Sequence, residues 1–175
     1  MTKSSKDLID QDEKKIISEL VKNSKENIDT IAKHCGFSAQ KVRRVIKQME
    51  QNHVIWGYTS VFDEKRIGLK HFMMMAKRTP GQVEEKTVDK IIQRELEHHA
   101  AEIGITIESS AYVHGDYDWV ITFTAEDIVQ AKMLSNSLNL LHPNKIEKVS
   151  IIQSLMFIKK QYILNPDREI LKDFL

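Results

Sequence analysis

The spacing of apolar residues changes at Val54. Before that point the pattern is helical. Ile16, Ile17, Leu20 and Val21 recur three and four apart and predict a helix over residues 11–22. Asp10 stands three residues before Glu13, the arrangement of a capping box. Asn27 caps a second, shorter helix that turns Ile28, Ile31 and Ala32 inward, and Cys35-Gly36-Phe37 follows. Gly36 supplies the positive φ of a tight helix–helix turn, with Phe37 and Ala32 packed in its elbow. Ser38 caps a third helix that reaches about Gln51. Two helices joined through a Gly turn predict a helix-turn-helix unit over residues 1–53.

After Val54 strands alternate with helices. Val54 to Phe62 reads as a strand, with Trp56, Tyr58 and Phe62 joining the two halves of the chain, and residues 54–68 form the linker. KHFMMMAKR (70–78) is the next strand, and Pro80-Gly81 a break. One long helix is expected over 82–103, from Val83, Val88, Ile91, Ile92, Leu96 and Ala100. ITIESSAYV (105–113) and WVITFT (119–124) form a hairpin through Gly115-Asp116-Tyr117-Asp118. A helix follows over 126–140, from Ile128, Val129, Ala131, Leu134, Leu138 and Leu141, then a last long strand over 146–160. The order β-α-β-β-α-β predicts a ferredoxin-like domain over 69–160, with an amphipathic tail at 161–175. The fold class is therefore α+β: an N-terminal helix-turn-helix domain plus a C-terminal ferredoxin-like βαββαβ domain.

The third helix carries the chemistry. At 100° per residue, Val45, Ile46 and Met49 lie within about 60° of Val42 and form the buried stripe. Gln40, Arg44, Lys47 and Gln51 lie opposite, flanked by Lys41, Arg43 and Gln48, with Glu50 as the helix's one acid. Arg gives two parallel donors to guanine and Gln pairs with adenine, so Gln40, Arg44 and Ser38, at the N-terminal end, are the candidates for base contact. Lys41, Arg43 and Lys47 are the candidates for phosphate contact. A cationic helix face is also what an ordinary solvated helix shows; the capped helix and Gly turn before it favour double-stranded DNA.

Composition narrows the class without changing this reading. Of 175 residues, 41% are hydrophobic and 29% charged, as in globular proteins. The net charge is +1, but residues 1–60 hold eleven Lys and Arg against eight Asp and Glu, which places the cations on the N-terminal part. No apolar run approaches the ~18 residues of a membrane span. MTKSSKDLIDQDEKK lacks the apolar core of a signal peptide. Cys35, the single cysteine, excludes an internal disulfide framework. The expected location is the cytoplasm.

Other residues have two readings each. Asp116 and Asp118, around Tyr117, either accept hydrogen bonds from a ligand ammonium or serve the turn. His98-His99 with Glu95 and Glu102 share a helix face, as metal ligands or as solvated surface, and no metal is assigned. His114 reads as surface. Cys35 is a redox thiol only if exposed; in the elbow it reads as a small buried residue. Phe72, Met73, Met74 and Met75 make both faces of one strand apolar, which calls for helices on one side and a partner sheet on the other. With no Gly-rich phosphate loop, nucleophile–base set or metal signature, the chain is not expected to be an enzyme or to need a cofactor.

LIDQDEKKIISELVKNSKENIDTIAKHCGFSAQKVRRVIKQMEQNHVIWGYTSVFDEKRIG resembles the N-terminal half of the leucine-responsive regulator family, Lrp/AsnC. The matching features are Asp10 and Glu13, Ile31-Ala32, Gly36-Phe37-Ser38, the recognition helix and Val54-Ile55-Trp56-Gly57-Tyr58. AYVHGDYDWVITF is similar to the Gly-Asp-Tyr-Asp turn of that family's C-terminal domain. The resemblance covers about residues 7–160. It implies a sequence-specific transcription regulator that binds DNA as a dimer, pairs its C-terminal sheets face to face and assembles further, to octamers in many members. It also implies an amino-acid effector near the turn, at Gly115, Asp116, Tyr117 and Asp118. ITIESSAYV departs from the family's more usual Val-x-x-Cys pattern, and the first C-terminal helix is longer than usual. The competing reading is a small-molecule sensor or assembly protein without DNA specificity.

Overall fold

The structure is a computed structural model that describes residues 10–81 and 84–173. Val83, placed on the long predicted helix, lies outside the described residues, as do the first nine residues and the last two. The chain divides into two compact units. One runs to Val61 and takes in the chain again from Ile158; the other is Phe62–Phe157.

The first unit holds α1 (Gln11–Leu20), α2 (Ile28–Cys35) and α3 (Ala39–Gln51). Each begins with a side chain that satisfies an otherwise unpaired backbone N–H. Asp10 accepts from the Glu13 N–H while Glu13 accepts from the Asp10 N–H, both at 2.8 Å. Asn27 accepts from the Asp29 N–H. The Ser38 Oγ accepts from the Lys41 N–H at 3.2 Å. Gly36 ends α2 in the left-handed conformation, φ 71° and ψ 36°. Ile16, Ile31, Val42 and Met49 are fully buried where the helices meet; Ala32, Cys35 and Val45 complete the core, with Phe37 and Ile46 against it. Emptying any of the large sites to Ala costs about 2–5 kcal/mol. Two short strands, β5 (Lys159–Lys160) and β6 (Ile163–Leu164), follow in the returning chain. They pair through a turn in which Gln161 and Tyr162 both have positive φ.

The second unit contains β1 (Lys70–Arg78), α4 (Glu85–Ile92), α5 (Glu95–Glu102), β2 (Thr106–Tyr112), β3 (Trp119–Ala125), α6 (Ile128–Leu141) and β4 (Ile146–Gln153). The sheet is antiparallel, in the order β2-β3-β1-β4. Alternation along β1 sorts its side chains. Phe72, Met74 and Ala76 are fully buried with Ile121, Phe123, Leu134 and Leu138. Met73 and Met75 point the other way and are half-buried.

Four expectations need correction. Val54–Phe62 is not a strand, because a strand needs a hydrogen-bonded neighbour and the ladders of the described residues do not include this segment. The helix expected over 82–103 is two helices, since Arg94 takes φ 57° and breaks the hydrogen-bond run between α4 and α5. The spacing read for α6 counted Ile128 and Val129 among its apolar positions, but both are exposed; Ala131, Leu134 and Leu138 supply the buried stripe. The last long strand stops at Gln153 rather than 160: the Ser154 N–H to the His71 carbonyl oxygen is its last bond to β1, and Lys159–Lys160 pairs with Ile163–Leu164 instead.

Candidate functional site

α3 presents two faces of opposite character. Val42, Val45 and Met49 are buried at its back. Gln40, Arg43, Arg44, Lys47 and Gln48 are exposed at its front. The front is therefore held rigidly by the packing behind it, which is what a surface needs in order to read a fixed target. Ser38 is exposed, but its hydroxyl oxygen is engaged as the cap of the helix.

Lys41 is held differently from the other cations. Its ammonium pairs with the Asp12 carboxylate at 2.6 Å and lies 4.0 Å from the centre of the Phe37 ring. It thus ties the start of α1 to the start of α3. Nothing local in the sequence signals this pair, because its members are far apart along the chain. Glu50, the helix's one acid, accepts a hydrogen bond from the Tyr58 hydroxyl at 2.9 Å. Burial, with Glu50 beside it, pushes the Tyr58 phenol up to about 12. The Trp56 ring, 94% exposed, donates its N–H to the His53 carbonyl oxygen.

The Gly115–Asp118 turn is the second sequence-predicted site. Gly115 and Asp116 are exposed. The Tyr117 hydroxyl shares a hydrogen bond with the Ser150 Oγ at 2.9 Å, and the Lys148 ammonium lies 5.8 Å from the ring centre. Ser150 is the main cause that lowers the Tyr117 phenol below its ordinary value. Asp118 is turned inward: its Oδ2 accepts from the Arg78 backbone N–H at 2.8 Å. Ser150 and Lys148 enter through β4, so reading the turn alone missed them.

No family model matches the chain. A proline dehydrogenase transcriptional activator from Rhodobacter capsulatus is 25% identical over 130 residues, which span 73% of this chain and 79% of that protein. An AsnC family transcriptional regulator from Agrobacterium tumefaciens superposes with a TM-score of 0.62 at 21% identity, covering 91% of this chain and 98% of that one. A transcriptional regulator from Neisseria meningitidis, solved in complex with L-Met, superposes with a TM-score of 0.64 at 14% identity over 91% and 98%. The fold is that of the Lrp/AsnC regulators.

On this Lrp/AsnC fold the remaining candidates have settled places. Cys35 is buried in the elbow, and burial raises its thiol above the ordinary range, opposite to the direction a redox thiol needs. His99 pairs with Glu102 at 3.3 Å, His98 and His114 are exposed, and no three His, Cys, Asp or Glu side chains of the described residues form a metal-binding group. Among the described residues no helix is long and apolar enough to cross a membrane.

Proposed function

We propose that this chain is a member of the Lrp/AsnC regulators and binds double-stranded DNA sequence-specifically through α3. The carrying observation is that Gln40, Arg43, Arg44 and Lys47 stand exposed on a capped helix whose opposite face is fully packed. In this reading Gln40 and Arg44 contact base edges, while Arg43 and Lys47 contact phosphates. Ser38 acts as the cap and through its backbone. Lys41 reaches a phosphate only by leaving Asp12.

The protein works as a homodimer or a larger assembly. In support, the outer sheet face carries Met73 and Met75 beside Val120 and Ile152, with Ile152 half-exposed. Two recognition helices then enter successive major grooves about 34 Å apart. An amino acid or similar small molecule acts as effector at Asp116, Tyr117 and the neighbouring Ser150 and Lys148. The L-Met complex of the Neisseria regulator supports that class of ligand. Asp118 already gives Oδ2 to the Arg78 backbone N–H, which leaves Oδ1 to meet an ammonium.

Selection of bound duplexes from a random library, at two salt concentrations, tests the reading. The expected result is a palindrome with half-sites one helical turn apart. Salt-sensitive binding with no enriched sequence would overturn specificity. Absence of binding at low salt would favour the sensor reading without DNA.

A further inference from the structure

A cavity of about 280 Å³ opens in the second unit, on the helix-covered side of the sheet, between the end of β1, the stacked rings of Tyr112 and Trp119, and the loop that follows α6. We propose that this cavity is a binding site for a small aromatic carboxylate that carries a second polar group on its ring and no ammonium. The site goes beyond the DNA-binding reading and does not depend on it.

Three features define the ligand. The first is an aromatic wall. Tyr112 and Trp119 stack with centroids 5.5 Å apart and planes at 10°, and His142 meets Trp119 edge-on at 5.8 Å. A flat ligand extends such a wall at little conformational cost. The volume, at the small end for ligand pockets, admits a single ring system with a short side chain.

The second feature is charge. Arg78 and Lys145 line the cavity, and among the described residues no Asp or Glu does. Glu84 accepts from the Lys145 ammonium at 2.5 Å, so Lys145 is already neutralised. The Arg78 guanidinium donates one N–H, from Nη2, to the Gly81 carbonyl oxygen at 3.2 Å. A guanidinium has five such donors, and a carboxylate is the group that takes two of them in parallel. The nearest carboxylates, Glu84 and Asp118, are engaged by Lys145 and by the Arg78 backbone N–H, so the walls favour an anion over a ligand ammonium. That separates this site from the Asp116–Tyr117 turn.

The third feature is an orphaned atom. His142 is only 5% exposed, and its Nδ1 has no hydrogen-bond partner among the described residues. A buried polar atom left unpaired costs about 1–3 kcal/mol; Nδ1 is closed to solvent, so a ligand in the cavity recovers that cost when the His142 ring, which lines the cavity, turns toward it. Burial, with the Lys90 charge adding to it, lowers the His142 imidazole below its ordinary value. Lys90 itself donates to the Leu141 carbonyl oxygen next door. Burial and Lys90 both disfavour the charged ring, so Nδ1 is better matched by a neutral ligand hydroxyl, which can donate to it or accept from it in either tautomer.

The test uses the full chain carrying W56F, so that emission comes from Trp119 alone. The probes are 4-hydroxyphenylacetate, phenylacetate and tyrosine, titrated by fluorescence and by calorimetry in the absence of DNA. Expected are saturable quenching by 4-hydroxyphenylacetate, weaker binding of phenylacetate, and at least about tenfold weaker binding of tyrosine. R78Q should weaken 4-hydroxyphenylacetate about tenfold or more. H142F should make the two acids bind alike. Since that variant alters a buried position, long-range ¹H–¹⁵N spectra of the unsubstituted imidazole give an independent reading, with the Nδ1 resonance moving as the hydroxylated acid saturates. Tyrosine binding as well as its acid, R78Q without effect, an unmoved Nδ1 resonance, or no saturable binding of either acid would each overturn the proposal.

Discussion

Replacing Gly36 with Ala isolates one contribution to the geometry of the three-helix unit. Gly36 sits at φ 71°, and a Cβ built there meets nothing within 4 Å. Steric contact is thereby removed from consideration, and only the backbone preference remains. Left-handed backbone costs a residue with a Cβ about 1–2 kcal/mol. Ala also narrows the unfolded ensemble, which returns about 0.4–1 kcal/mol. The net loss should centre on about 0.8 kcal/mol, within a span of about 0–1.6. Asn, which tolerates this conformation better, should lose less than Ala. The two compact units need not unfold together, so a single melting curve would mix their responses. Native-state hydrogen exchange separates them: amides of α2 and α3 should lose protection in Gly36→Ala, while those of β1 and β3 serve as an unchanged reference. Equal protection in wild type, Ala and Asn variants would refute the assigned turn. A loss above about 3 kcal/mol would mean that a clash, not the backbone, sets the cost.

Three further outcomes follow from the same geometry. Arg44→Ala should weaken operator binding by about 1–3 kcal/mol and relax preference at one base pair, whereas Lys41→Ala should flatten the salt slope by less than the roughly one unit of a free phosphate contact, because Asp12 already holds that ammonium; binding isotherms at several salt concentrations check both. Met73→Asp with Met75→Asp should leave the far-UV spectrum unchanged and lower the mass seen by light scattering, since both side chains sit on the outer sheet face rather than in the core. In a spectrophotometric titration Tyr58 should ionise near pH 12, and Tyr58→Phe should remove that late step; because the phenol is raised in the folded chain, its contribution to stability is complete below pH ~10 and is lost as pH rises through about 12.

The legible parts of the sequence were those decided within a few residues. Asp10 with Glu13, Asn27, Gly36 and Ser38 act on backbone groups two or three positions away, and each takes the role its type and spacing suggest. The stripe of Val42, Val45 and Met49 needs only helix geometry, so the exposed face of α3 was legible with it. The misreadings concern long-range partners. Val54–Phe62 has the composition of a strand, but composition does not supply a neighbour. Arg94 breaks a helix whose apolar spacing runs on without interruption, so periodicity gave no sign of it. Asp118 looks free in a turn and is instead bonded to Arg78 on another strand. Lys41 looks like one more solvated cation until Asp12 is brought against it. Likewise His142 and Trp119 meet only because α6 packs over the sheet.

The alternation along β1 has a genetic consequence. Phe72, Met74 and Ala76 belong to the folding of one subunit, while Met73 and Met75, on the assembly proposed above, belong to its joining with another. Lesions at neighbouring positions should therefore differ in dominance. A subunit altered at Met73 folds but stays out of mixed assemblies, so it should be recessive beside the wild-type allele. One altered only at Arg44 still joins its partners and carries a blind helix into them, so it should be dominant-negative. A single-residue insertion in β1 would exchange the two faces of the strand and produce both defects at once.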